Sequence, residues 1–151
     1  MREATALVQV YSDENGKIEC DREHRLVQLY WSTHCNGQPL RSLLLEALRH
    51  ATSSQLTAWL CDMRKLHYME MADQNWLINE LFPSFSRRHR HRVAFVVNIN
   101  NYELMSSIQT KSIVLHTPAL ARVIAMDVFL AKGEARHWLL SQTPSDNAPS
   151  F

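Results

Sequence analysis

The sequence predicts one α/β domain: a mixed sheet with antiparallel strands at its N-terminal end, then alternating strands and helices packed on that sheet. Three observations lead there. Short β-favouring apolar runs lie at residues 5–11, 26–31, 56–61 and 92–99. Helical apolar spacings stand between the later runs. The 151 residues contain no internal repeat or linker and suit a single hydrophobic core, so residues 1–140 are read as one unit.

Taken in order, residues 5–11 form a first strand, with Val8 and Val10 on one face and Leu7, Gln9 and Tyr11 on the other. Asp13-Glu14-Asn15-Gly16 is a hairpin turn, since Asn-Gly readily takes positive φ, and Lys17 to Cys20 is the return strand. Leu26 to Trp31 is the third strand. Asn36-Gly37 breaks the chain, and Pro39 opens a helix over 39–52. Its apolar face is Leu40, Leu43, Leu44, Ala47, Leu48 and Ala51, spaced at i, i+3, i+4, i+7, i+8 and i+11.

Leu56 to Cys61 reads as a buried strand. A second helix starts near Ala72 or Asp73, buries Trp76, Leu77, Leu81 and Phe82, and stops or kinks at Pro83, which has no N–H to donate. Arg92 to Ile99 is the next strand. A third helix, capped by Asn100 or Asn101, carries Leu104, Met105 and Ile108 and ends before Pro118. Val123 to Phe129 is a last strand interrupted by Asp127, and Glu134 to Leu140 is a terminal helix. The small polar residues and prolines of 141–151 read as a disordered tail.

Composition excludes several function classes. Apolar residues are 46% and charged residues 21%, as in ordinary globular proteins. Sixteen Lys and Arg against 15 Asp and Glu give a net charge of +1, so no global field favours nucleic acid or an anionic membrane. No apolar run approaches the roughly 20 residues of a membrane span, and no signal-peptide core follows Met1. The odd count of three cysteines, without a CxxC pair, favours a reducing cytoplasm over a disulfide scaffold. Only Gly16, Gly37 and Gly133 occur, far apart, so no loop can cradle a phosphate.

Catalytic and metal chemistry find no foothold either. His89-x-His91 is the only close histidine pair and no zinc spacing surrounds it, so no metal or other cofactor is expected. There is no Gly-x-Ser-x-Gly, and no cysteine sits in a catalytic signature. The carboxylate pairs Asp13/Glu14 and Asp73/Glu80 have no evident cleft. The chain is therefore read as non-catalytic.

Binding candidates are fewer and sharper. Asp62 and Arg64 follow the strand at 56–61, where open α/β sheets place their sites, and act either as a charged pair at a crevice rim or as a bond fixing the loop. Arg87-Arg88-His89-Arg90-His91-Arg92 is the one strong charge run; Arg88, Arg90 and Arg92 are candidates to hold an anion, with a solvated basic turn as the alternative. No aromatics interleave it, which speaks against single-stranded nucleic acid. The four tryptophans read as core residues, one or two of which line a pocket or interface.

Trp59-Leu60-Cys61-Asp62-Met63-Arg64, then Asp73 and Trp76 with Pro83 beyond, Arg92 to Val97, and a closing Phe129 with Glu134 to Leu139 form an ordered series over residues 5 to 140. In that order and spacing the chain resembles the STAS-like domains, in particular the SpoIIAA-like group, which share an architecture with the CRAL-TRIO lipid-binding fold. The resemblance implies a bacterial, single-domain regulatory or binding protein able to form a homodimer. In relatives a serine between a strand and the next helix is phosphorylated; here Leu66 to Asp73 contains neither Ser nor Thr, and no such site is carried over. Two expectations result. One is an interaction module that meets a protein partner through Asp62, Arg64, Asp73 and Trp76. The other is a carrier or sensor of a small apolar or anionic ligand, with a tryptophan-lined pocket and the arginine run reading the charge.

Overall fold

The computed structural model describes residues 7–99 and 102–141, backbone alone at 102 and 103. Among these, six strands form one sheet whose spatial order is the chain order: β1 Leu7–Ser12, β2 Gly16–Asp21, β3 Leu26–Trp31, β4 Ala58–Asp62, β5 His91–Val96 and β6 Ile124–Phe129. β1 pairs with β2 and β2 with β3 antiparallel; β3 through β6 pair in parallel. The mixed α/β sheet expected from the sequence is therefore the observed one.

The first hairpin is built differently from the expected positive-φ turn. Gly16 does not have a positive φ, Gly37 being the glycine that does. Asp13 Oδ1 instead accepts from the backbone N–H groups of Asn15 and Gly16 at 2.8 and 3.1 Å. Glycine is required at 16 because a Cβ there would lie 2.0 Å from the Tyr30 carbonyl oxygen. The facial assignment of β1 also needs correction. The β1–β2 register shifts between Gln9 and Tyr11, and this bulge lets the consecutive Val10 and Tyr11 both pack on the core while Val8 stays exposed.

Helix α1, Gln38–Ser54, buries Leu40, Leu43, Leu44, Ala47 and Ala51, the expected face, with Leu48 half-buried beside them. It ends at Gln55, held at φ 56 while the Leu56 N–H closes the helix on the Ala51 carbonyl at 2.8 Å. Leu56 thus belongs to the helix exit. β4 begins two residues later than expected and takes in Asp62.

Helix α2, Met71–Trp76, widens into a π turn over Leu77–Leu81 and tightens to a 3₁₀ turn at Phe82–Ser84, where Pro83 stops it. Helix α3 is Tyr102–Leu115, a short α4 spans Pro118–Ala121, and α5 is Lys132–Leu140. The expected cap at Asn100 or Asn101, and the tail beyond Ser141, lie outside the described residues.

Because every parallel step moves in the same direction along the sheet, the crossover helices belong on one face. There Leu43, Ala47, Leu77, Leu81 and Phe82 meet Val27, Leu29, Trp59, Cys61, Val93 and Phe95 in the larger core. Strand alternation sends Leu26, Ala58, Leu60, Ala94 and Val96 to the opposite face, where α5 covers them with Ala135 and Leu139. Asp127, suspected of breaking β6, is accommodated because β6 is the edge strand and Lys111 of α3 pairs with it at 2.8 Å. No helix among the described residues is long and apolar enough to cross a membrane.

Candidate functional site

The carboxyl ends of the parallel strands open onto a crevice of about 1020 Å³. Every neighbouring strand contributes to it. Tyr30 comes from the end of β3, Asp62 from the end of β4, Arg64 and Lys65 from the loop beyond, Asn98 from the loop after β5 and Lys132 from the first residue of α5. The hairpin adds Asp13, Gly16 and Lys17. Such crevices are where open α/β sheets place ligands, since the loops there diverge while the strands below stay fixed.

Asp62 and Arg64 meet as a bidentate pair. Arg64 Nε donates to Asp62 Oδ1 at 2.9 Å and Nη2 to Oδ2 at 2.7 Å, and the Arg64 backbone N–H reaches Oδ1 at 3.3 Å. Asp62 is buried and Arg64 exposed, so the carboxylate anchors a guanidinium whose outer edge faces the crevice. The bond to Asp62 raises the Arg64 pKa further, so its charge is permanent. Asn98 Nδ2 donates to the Arg64 carbonyl at 2.8 Å and ties the loops after β4 and β5 together. The pair lines the crevice, and its bonds close the turn between residues 62 and 64.

The other wall is a hydrogen-bonded chain. Gln28 Nε2 donates to the Tyr30 hydroxyl at 2.8 Å, and Lys132 Nζ donates to the same oxygen. Lys17 and Lys132 lie 5.1 and 4.3 Å from the Tyr30 ring centroid. Arg136, one turn along α5, donates to Gln28 Oε1 at 2.8 Å and approaches Asp21 Oδ2 at 3.5 Å; Asp21 also accepts from the His24 ring at 2.8 Å. The polar half of α5 is thereby pinned to β2 and β3. Lys17, Tyr30, Lys65, Asn98 and Lys132 were not singled out from the sequence. Strand-end position is the sequence signal that marks Tyr30, while the others converge only through packing.

Asp73 and Trp76 do not join this surface. Asp73 is fully buried, accepting from the Gly37 N–H and from Arg41 Nε, both at 2.9 Å. Arg41 also lies 5.5 Å from the Trp76 ring centroid. These residues lock the start of α1 to α2, because a carboxylate out of water needs its donors inside the fold.

The arginine run is divided as well. Arg88 is exposed before β5; Arg90 Nη1 donates to the Arg122 carbonyl at 3.1 Å; the Arg92 guanidinium lies 4.5 Å from the Trp138 ring centroid on the α5 face. Strand alternation puts His91 on the opposite face, against Phe85.

The remaining reactive groups are muted. Cys61 is buried, and burial with the Asp62 charge pushes its thiol far above the usual range, which leaves it un-ionised. Burial also raises Cys20 and Cys35. His34 and His67 stack at 5.0 Å, and the His67 backbone N–H donates to His34 Nδ1 at 3.0 Å; burial, with the His67 charge, lowers the His34 pKa. Among the described residues no group of three or more His, Cys, Asp or Glu could hold a metal ion. Compared with known proteins, the chain matches no family model, no curated protein and no solved structure.

Proposed function

We propose that this chain is a non-catalytic, STAS-like interaction module that holds an anionic segment of a protein partner in the crevice at the carboxyl ends of β3, β4 and β5. The observation that carries the reading is the charge of that crevice. Lys17, Arg64, Lys65 and Lys132 line it against only Asp13 and Asp62. Asp62 has both oxygens engaged by Arg64, which suits an anchoring group better than a proton carrier. A crevice of about 1020 Å³ is roomy enough for several side chains of a docked segment. Lys17 sits on β2, Lys132 on a pinned helix, and Arg64 in a loop tied to Asp62 and Asn98, which favours recognition without rearrangement.

Affinity capture with the wild-type chain and a K17E/K65E variant, run side by side at low and high salt, tests this. A partner retained by the wild type at low salt should be lost both in the variant and at high salt, as expected for charge contacts within a Debye length of about 10 Å. The same proteins retained by both chains would count against the crevice as the docking surface.

A further inference from the structure

At the amino ends of β4 and β5, opposite the crevice, the exit of α1 and the segment after α2 enclose a second cavity of about 180 Å³. Its floor is apolar and buried, formed by Leu56, Trp59 and Phe85. The Trp59 and Phe85 rings stack with centroids 4.9 Å apart and planes 19° from parallel. Its rim is polar, with Thr52, Gln55, Ser86 and Arg88 all exposed.

The charge of its lining marks the cavity as more than a packing gap. Its lining holds Arg88, His89 and His91 and no carboxylate, and Arg88 has no acidic partner within 4 Å among the described residues. His91 is buried in the wall. Its Nε2 lies 2.7 Å from the Ser86 carbonyl, which makes Nε2 the protonated nitrogen, and the buried Nδ1 has no hydrogen-bond partner. With Nε2 protonated, Nδ1 is an acceptor and takes no part in holding an anion, whose charge would be met by Arg88.

We propose that this cavity binds a small single-ring aromatic carboxylate, its ring against Trp59 and Phe85 and its carboxylate at the mouth on Arg88. A dry cavity of roughly 150 Å³ accommodates benzene, so one ring fills the floor and leaves the acid group at the rim. The guanidinium matches a carboxylate in plane and charge. The proposal goes beyond the crevice reading and uses none of the crevice residues.

Titration of the full chain with benzoate, followed through the Trp59 indole N–H resonance, tests it. Binding with a Kd of roughly 0.1–1 mM is expected for a ligand this small. R88A, at an exposed position, should weaken it tenfold or more. T52W, which closes the mouth from the exposed rim, should abolish it, and K65E in the crevice should leave it unchanged. Benzyl alcohol (ring without charge) and acetate (charge without ring) should each bind at least tenfold more weakly than benzoate. No shift at Trp59 up to roughly 20 mM benzoate, well above the expected Kd, would overturn the proposal. So would R88A binding as the wild type does, a control binding as tightly as benzoate, or loss of binding in K65E.

Discussion

Arg136→Met is the sharpest probe of how α5 is held against the sheet. The guanidinium donates to Gln28 Oε1 at 2.8 Å and approaches Asp21 Oδ2 at 3.5 Å, and both acceptors are fully buried. Methionine keeps much of the aliphatic stem and removes the donors. Gln28 Oε1 then has no other partner among the described residues, a penalty of about 1–3 kcal/mol for a buried acceptor. The lost bond carries a charge and is worth about 1.5–3 kcal/mol. Asp21 is cushioned, since the His24 backbone N–H at 3.1 Å and ring at 2.8 Å remain. These two figures describe one event and are not added, so the loss is about 3 kcal/mol, the low end of what breaking a buried ionic contact costs.

Urea unfolding reads this directly. With a slope of about 2 kcal/mol/M, the midpoint should fall by about 1.5 M. The double variant Q28L/R136M supplies the control. Replacing both partners by apolar groups removes the orphaned oxygen, and Lys132 still donates to Tyr30, so the double variant should be more stable than R136M alone by about 1 kcal/mol. A shift under about 0.3 M for R136M, or a double variant that simply adds the two losses, would refute the pinning argument. Amides of α5 should also exchange faster in R136M, because the helix that carries Lys132 to the crevice has lost half its anchor.

Three further outcomes follow from the geometry. Gly16→Ala forces a Cβ to within 2.0 Å of the Tyr30 carbonyl oxygen and should cost about 3 kcal/mol or more, measured as a lower urea midpoint; a loss below about 0.5 kcal/mol would mean the strands part easily. Asp73→Ala strands the Gly37 N–H and frees Arg41 Nε, and calorimetry should show a melting temperature lower by roughly 6–12 °C for a loss near 3 kcal/mol. His34 and His91 both have pKa values lowered from 6.5 by burial, so below that pH the unfolded chain binds more protons than the folded one. Their stabilisation is complete above about pH 6.5 and declines as pH falls through that window. The urea midpoint should therefore drop between pH 7 and pH 5, and an H34Q/H91Q variant should flatten the dependence; an equally steep variant would place the titration elsewhere.

What was legible in the sequence is what depends on local pattern. The α1 face from Leu40 to Ala51 stands where its 3.6-residue repeat places it, and the strand from Leu26 to Trp31 is legible as a short apolar run buried on both faces. Strand ends were blurred by apolar residues that belong to neighbouring elements, as with Leu56, which closes α1. Asn15-Gly16 matches a positive-φ turn in sequence, but glycine is needed at 16 for the nearness of Tyr30, a contact made across the strand pair. The crevice was half legible. Asp62 and Arg64 are close in sequence and at a strand end, whereas Lys17, Tyr30 and Lys132 converge only after β2, β3 and α5 have packed.

The arginine run shows why a local charge count is a poor guide to a local field. Six consecutive basic or imidazole side chains from Arg87 to Arg92 look like one patch, but the strand begins at His91 and its alternation sends neighbours to opposite faces. Arg92 goes to the α5 face over Trp138, His91 goes inward to Phe85, and Arg90 is drawn to the Arg122 carbonyl. Arg88 precedes the strand, so neither pleat nor ladder decides its direction, and it alone of the three candidate arginines reaches the mouth of an apolar cavity. A single guanidinium beside an apolar, aromatic-floored cavity would discriminate better than a diffuse patch, because a ligand there would have to match both the floor and the charge. The pleat therefore divides the run among two faces of the sheet and a loop, and leaves no continuous basic patch.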